Sequence, residues 1–210
     1  MIIIDNFVKD LDFLQKIESS EEFWQPGYQW YDGWWSVQPS NIREFLIQQL
    51  WADNSPHAPI SCSGFEHWVG DLSEDGKVYS AFDMEFSLPL HFDKDEAHFN
   101  QTKDFSFPII GTIFYPCREI DEMEGGMLHY WENHDASQLK DGQITGLGND
   151  CEIIKPKFNR LIIFDASKLH AVAKVTKGRR RAIAINLWLN KPLTFSEQFS
   201  APLTGAINGY

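Results

Sequence analysis

The sequence predicts a mainly β protein with N-terminal helices, built as sheet against sheet with the helices on one outer face. Three observations carry this. Helical spacing of apolar residues is confined to the first third of the chain, while the rest breaks into short β-like runs. Helices first and strands afterwards suit a layered architecture. Runs such as "RLIIF" and "RAIAINLWL" are apolar on both sides, as expected where one face meets helices and the other looks into a sandwich or barrel.

In order along the chain, residues 10 to 18 put Phe13, Leu14 and Ile17 on one helical face. The stretch "PSNIREFLIQQLW" does the same with Ile42, Phe45, Leu46 and Leu50, and Asn41 with Glu44 resembles a capping box just after Pro39. Between them "WQPGYQWYDGWW" holds Trp24, Trp30, Trp34 and Trp35, expected to pack the helices against the sheet or to form a substrate-facing rim. The β-like runs are "KVYSAFDMEF", "FPIIGTIFY", "GGMLHYW", "EIIKP", "RLIIF" and "RAIAINLWL", separated by turns such as "SEDG", "EMEGG", "KDGQ" and "VTKG". "DKDEAHFNQTKDFS" reads as a polar, mobile loop at a barrel mouth, and "REIDEMEGG" as a solvated acidic loop.

With 210 residues the chain fits one domain, 1–210, in which residues 1–60 form a helical support and 61–210 the β-barrel core. A formal charge of −12 disfavours a phosphate backbone or an anionic membrane as partner. "MIIID" offers no signal peptide and no apolar stretch has spanning length, so the expectation is a soluble, cytoplasmic protein. Cys62, Cys117 and Cys151 are odd in number and widely spaced, which gives neither a disulfide framework nor a zinc knuckle.

"LHFDKDE" contains the chain's one histidine followed two positions later by an acid, His91-Phe92-Asp93. Seven His and 30 acids in 210 residues make about one such pair by chance, so the pair needs distant support. In an extended chain residues 91 and 93 project from the same face and could share one ion. A third ligand must come from elsewhere: His170, beyond "NRLIIFD" and the turn-like "ASKL", is the best candidate, with His129 and His134 as rivals. His57, His67 and His98 read as surface or loop residues. Two His and one carboxylate suit non-haem Fe(II), and a zinc hydrolase can use the same ligands. What separates the two is a cosubstrate site. Arg180 stands ten residues after His170 and could fork two hydrogen bonds to a carboxylate. Strand alternation groups Arg180 with the small Ala182 and Ala184, Asn186 and Trp188, and that face is taken as the inner one. A one-residue slip would substitute Arg181.

The order "HFD", "TIFYP", "EGGMLHYW", "NRLIIFDASKLHAV", "VTKGRRRAIAINLW", preceded by "IIIDNFV...FLQKI", resembles the 2-oxoglutarate/Fe(II)-dependent dioxygenases, and within them the prolyl-4-hydroxylase-like branch. The resemblance covers most of the chain and implies a double-stranded β-helix, a jelly-roll or cupin-like barrel. It implies His91, Asp93 and His170 as catalytic iron ligands, Arg180 on the distal carboxylate of 2-oxoglutarate, Tyr115 helping to hold that cosubstrate, and Leu128 as apolar wall. Fe(II), 2-oxoglutarate and O2 are the implied cofactors. The implied reaction hydroxylates a C–H bond, most specifically of a peptidyl or protein prolyl residue, and releases succinate and CO2. Alternatives are the same chemistry on a free amino acid or other small metabolite, and a metal-binding β-barrel without turnover; nucleic-acid demethylation is disfavoured by charge.

Overall fold

The computed structural model describes residues 1–52, 62–140 and 143–196; His57 and the two central residues of the "KDGQ" turn lie outside these. Thirteen strands and three α-helices appear among the described residues: β1 (Ile2–Asp5), α1 (Leu11–Ser19), β2 (Gln29–Tyr31), α2 (Ile42–Ala52), β3 (Gly64–Ser73), β4 (Tyr79–Ala81), β5 (Met84–His91), α3 (Glu96–Thr102), β6 (Ile110–Phe114), β7 (Glu124–Gly125), β8 (Leu128–Asp135), β9 (Cys151–Ile154), β10 (Arg160–Phe164), β11 (Lys168–Ala173), β12 (Val175–Lys177) and β13 (Arg179–Trp188). A six-stranded antiparallel sheet runs β1-β10-β6-β13-β3-β2 and a five-stranded one β4-β5-β11-β8-β9; β12 and β7 form a separate ribbon. The chain passes repeatedly from one sheet to the other, and the two enclose a jelly-roll barrel.

β13 shows how the sequence builds this. Ile183, Ile185 and Leu187 point outward and are fully buried against Phe13, Leu14 and Ile17 of α1 and Leu46, Ile47 and Leu50 of α2. Truncating any one of these aliphatic residues to Ala would cost about 2 to 5 kcal/mol. α1 buries the expected face, and Asp10 caps it by accepting from the Phe13 N–H. In α2 Asn41 accepts from the Glu44 N–H while the Glu44 carboxylate reaches back to Ser40, so the capping box forms one residue out of strict register. Phe45 is largely exposed, and Arg43 takes a buried position instead, donating to the carbonyl oxygens of Phe23 and Gln25.

Several expectations are corrected. β3, the long partner of β13, has no counterpart among the predicted strands, and β1 and β2 show that the first third adds edge strands as well as helices. "KVYSAFDMEF" is a hairpin, because Phe82 and Asp83 both adopt positive φ, the geometry of a tight two-residue turn. The stretch after Asp93 is an ordered helix, α3: Asp95 is buried, caps it through the His98 N–H, and also accepts from the Leu193 N–H and the Thr194 hydroxyl. "REIDE" is a single 3₁₀ turn that buries Ile120. His67 lies in the core, where burial and then the nearby Arg43 push its pKa down to about 3, so it is neutral. No helix among the described residues is long and apolar enough to cross a membrane.

Candidate metal centre and cosubstrate pocket

His91 is the last residue of β5 and His170 the third of β11; the two strands pair antiparallel with His91 directly opposite His170, their ring centroids 4.2 Å apart. Asp93 lies just beyond β5. Its peptide N–H donates to the Ala166 carbonyl at 3.1 Å, which anchors it beside the β10–β11 turn. One carboxylate oxygen, Oδ1, then stands 3.5 Å from His91 Nε2 and 3.7 Å from His170 Nε2.

The backbone fixes the tautomers. His91 Nδ1 lies 2.7 Å from the Pro89 carbonyl oxygen and His170 Nδ1 2.8 Å from that of Lys168. A carbonyl can only accept, so both Nδ1 atoms carry a proton and both Nε2 atoms are left facing Asp93. The donor atoms of His91, Asp93 and His170 all lie within 4.8 Å of one another. Two nitrogens and an oxygen at this spacing suit one divalent ion with bonds of about 2.1 Å, and a facial set of this composition suits Fe(II). Burial, and then His170, pushes the His91 pKa down to about 4. Burial opposes the shifts at the other two: His170 is nevertheless raised by Asp93, and Asp93 lowered by both imidazoles.

Three more residues complete this end: Asn186 and Trp188, expected on the inner face but with no role there, and Glu66, which no sequence signal singled out. Trp188 donates from Nε1 to Glu66 Oε2 at 3.0 Å; Asn186 Nδ2 lies 3.4 Å from that oxygen and donates to Asp93 Oδ2 at 3.2 Å. Glu66 sits on the barrel face of β3 opposite Asn186 and is buried; that burial, and then Asp93, pushes its pKa up to about 8. The available signal was the inward set of β13, where Asn186 and Trp188 follow Arg180, but β3 itself was missed.

At the other end of the barrel face of β13, Arg180 is buried, donating from Nε to the Gly126 carbonyl at 3.1 Å and from Nη2 to the Tyr115 hydroxyl at 2.8 Å, with its guanidinium over the Tyr115 ring. Among the described residues no carboxylate pairs with it. Gly126 has φ +61°, and a Cβ there would meet the Met123 side chain at 2.8 Å and Arg180 Cδ at 3.2 Å, so glycine makes room for the guanidinium. Leu128, Tyr115, Tyr130, Phe164 and Ala182 form one buried apolar cluster around it, and Phe164 in turn packs edge-on to His170 at 5.2 Å. Arg181 faces outward to Glu119 and lies over Trp24. His129 points away from the barrel toward Phe86 and Trp131, and His134 sits beside Asp150; neither joins the cluster. Trp24 and Trp34 pack in the helix-side core, whereas Trp30 lies against Phe195, and Tyr28 packs on Trp68 of the barrel face.

Fold and site define a jelly-roll protein with a two-histidine, one-carboxylate cluster at one end of its barrel and, toward the other, a buried guanidinium with no acidic partner among the described residues. The sequence model of the 2OG-Fe(II) oxygenase superfamily matches residues 78–190, more than half of the chain, and the protein belongs to that superfamily. It is thus a dioxygenase dependent on Fe(II), 2-oxoglutarate and O2. A prolyl-4-hydroxylase from Pseudomonas putida is similar in structure, with a TM-score of 0.55 and 13% identity over 90% of this chain and 92% of that one. The viral collagen prolyl hydroxylase of Paramecium Bursaria Chlorella virus-1 gives a TM-score of 0.48 and 18% identity, covering 90% of each chain. No curated protein sequence matches the chain.

Proposed function

We propose that the protein hydroxylates a prolyl residue in a peptide or protein, with His91, Asp93 and His170 holding Fe(II) and Arg180 holding the distal carboxylate of 2-oxoglutarate. The observation that carries the site assignment is the buried Arg180 without an acidic partner: a guanidinium in an apolar cluster calls for an anion from outside. Tyr115 orients that guanidinium from the side, and Leu128 keeps water from the cosubstrate's methylenes. When bound, Fe(II) with 2-oxoglutarate and O2 supplies the oxidation that converts a C–H bond to C–OH while the cosubstrate gives succinate and CO2. The protein contributes position: two imidazoles with their tautomers set by backbone carbonyls, and a carboxylate with one oxygen turned to both.

The prolyl substrate is supported by likeness over nearly the whole chain to a bacterial prolyl-4-hydroxylase. A free amino acid or small metabolite is the second reading, favoured by α3: the segment after Asp93, expected as a mobile loop at the barrel mouth, is a helix held by Asp95. Succinate formation is to be followed with the Fe(II)-loaded enzyme against proline-bearing peptides and free amino acids. Stimulation by peptides with a hydroxylated prolyl product is the expected result. Stimulation by free amino acids alone would replace the prolyl reading with the second one.

A further inference from the structure

Asp93 owes its orientation to a chain of donors and acceptors in which each link forces the next. An indole N–H can only donate, so the Trp188 contact at 3.0 Å makes Glu66 Oε2 an acceptor whether or not Glu66 is ionised. Asn186 lies between Glu66 Oε2 and Asp93 Oδ2, and the residue is 98% buried. With acceptors on both sides, its amide must present NH2 to them, because the flipped amide would set a carbonyl oxygen against two carboxyl groups. One N–H then engages Asp93 Oδ2, which leaves Oδ1 as the oxygen facing His91 Nε2 and His170 Nε2.

We infer that Asn186, held by Glu66 and Trp188, is a positioning residue that keeps Asp93 a one-oxygen ligand. An oxygen bound to an amide N–H is less free to join its twin on a metal, so the second carboxylate oxygen stays off the ion. The inference rests on the reading of His91, Asp93 and His170 as metal ligands. Partners of ligating side chains ordinarily carry about 10- to 100-fold in metal affinity. Glu66 acts here as an acceptor of two N–H groups, a role in which a Gln carbonyl can replace it.

The test is an anaerobic titration of the metal-free protein with Co(II), read by its visible ligand-field bands, on wild type, Asn186→Ala, Glu66→Ala, Glu66→Gln and His91→Ala, each checked for folding by near-UV circular dichroism. Asn186→Ala and Glu66→Ala are expected to weaken Co(II) binding about 10- to 100-fold and to change the band pattern as the carboxylate turns. Glu66→Gln should keep both affinity, within about threefold, and the wild-type bands, since its carbonyl accepts the same two bonds. Wild-type affinity and bands in Asn186→Ala and Glu66→Ala would overturn the inference while leaving the metal centre standing. So would a loss in Glu66→Gln as large as in Glu66→Ala, because charge and not the hydrogen-bond chain would then be responsible. Undiminished Co(II) binding by His91→Ala would remove the metal-centre reading and the inference with it. If Asn186→Ala does not fold, the two Glu66 variants decide the matter alone.

Discussion

Replacing Arg180 by Met separates ligand binding from stability. Arg180 is 96% buried, and its guanidinium makes two hydrogen bonds, to Gly126 O and Tyr115 Oη. Losing two bonds from a charged donor costs about 3 to 5 kcal/mol of folding stability. Removing a buried charge that has no acidic partner returns several kcal/mol of desolvation, and Met refills the apolar cluster with a side chain of similar length. The terms nearly cancel, so the metal-free variant should unfold in urea within about 1 kcal/mol of wild type. For 2-oxoglutarate the balance differs, because a forked pair of charge-assisted bonds at about 1.5 to 2 kcal/mol each amounts to about 3 to 4 kcal/mol. At 1.4 kcal/mol per factor of ten, binding to the metal-loaded protein should weaken by about 100- to 1,000-fold in anaerobic calorimetry. A loss below about tenfold would refute Arg180 as the counter-ion. A stability loss beyond about 3 kcal/mol would show it to be chiefly a structural bolt.

Three further outcomes are expected. Metal binding should displace one proton: His170, whose pKa is raised by Asp93, must lose its proton to ligate, while His91 is already neutral down to about pH 4. Affinity should thus fall about tenfold per pH unit from the ordinary imidazole range, about pH 6.5, down to about pH 5; a flat profile, or a hundredfold drop per unit, would contradict this. Asp93→Ala should abolish the visible charge-transfer absorption of the anaerobic Fe(II)–2-oxoglutarate complex, and a persisting band would place the iron elsewhere. Asp95→Ala removes an N-cap and two tertiary acceptor bonds from a buried carboxylate, so it should cost about 3 kcal/mol, seen as a lower urea midpoint at constant slope. Full stability would mean that α3 is held by other contacts.

How much of this was legible depends on whether burial followed polarity. α1, α2 and β13 could be read because their buried faces are apolar: Ile183, Ile185 and Leu187 mark the outer face of β13 without help from structure. β3 was opaque for the opposite reason. Its segment "GFEHWVG" buries Glu66 and His67 on opposite faces, one for the metal end of the barrel and one under α2, so alternation of apolar with polar residues disappears. α3 buries no apolar residue, and its anchor is the single carboxylate of Asp95, which in sequence looks like one more acid in a polar run. "ASKL" reads as turn-like because "DAS" does turn, Asp165 accepting from the Ser167 N–H, and β11 starts only two residues before His170.

The proposed metal centre was legible to the extent that histidine is a rare residue type in this chain, and its orientation was not, because orientation is supplied by main-chain atoms and by residues with no chemistry of their own. Nothing in "LPLH" or "SKLH" announces that each histidine will turn Nδ1 to the carbonyl two residues before it, yet the repeated His-to-i−2 contact makes the two imidazoles equivalent as donors. The inward set of β13 unites the two ends of the site on one strand: Arg180 marks the anion end and Asn186 touches Asp93, with Ala182 and Ala184 between them. Because strand alternation is rigid, a slip of one residue would remove Arg180 and Asn186 from the barrel together and bring Arg181 and Leu187 in. Arg181 is therefore tied outside as firmly as Arg180 is held within, by Glu119 and by the face of Trp24. The register of a single strand, pinned on its outer face by helix packing, sets the position of both the proposed cosubstrate anchor and the residue that orients the proposed carboxylate ligand.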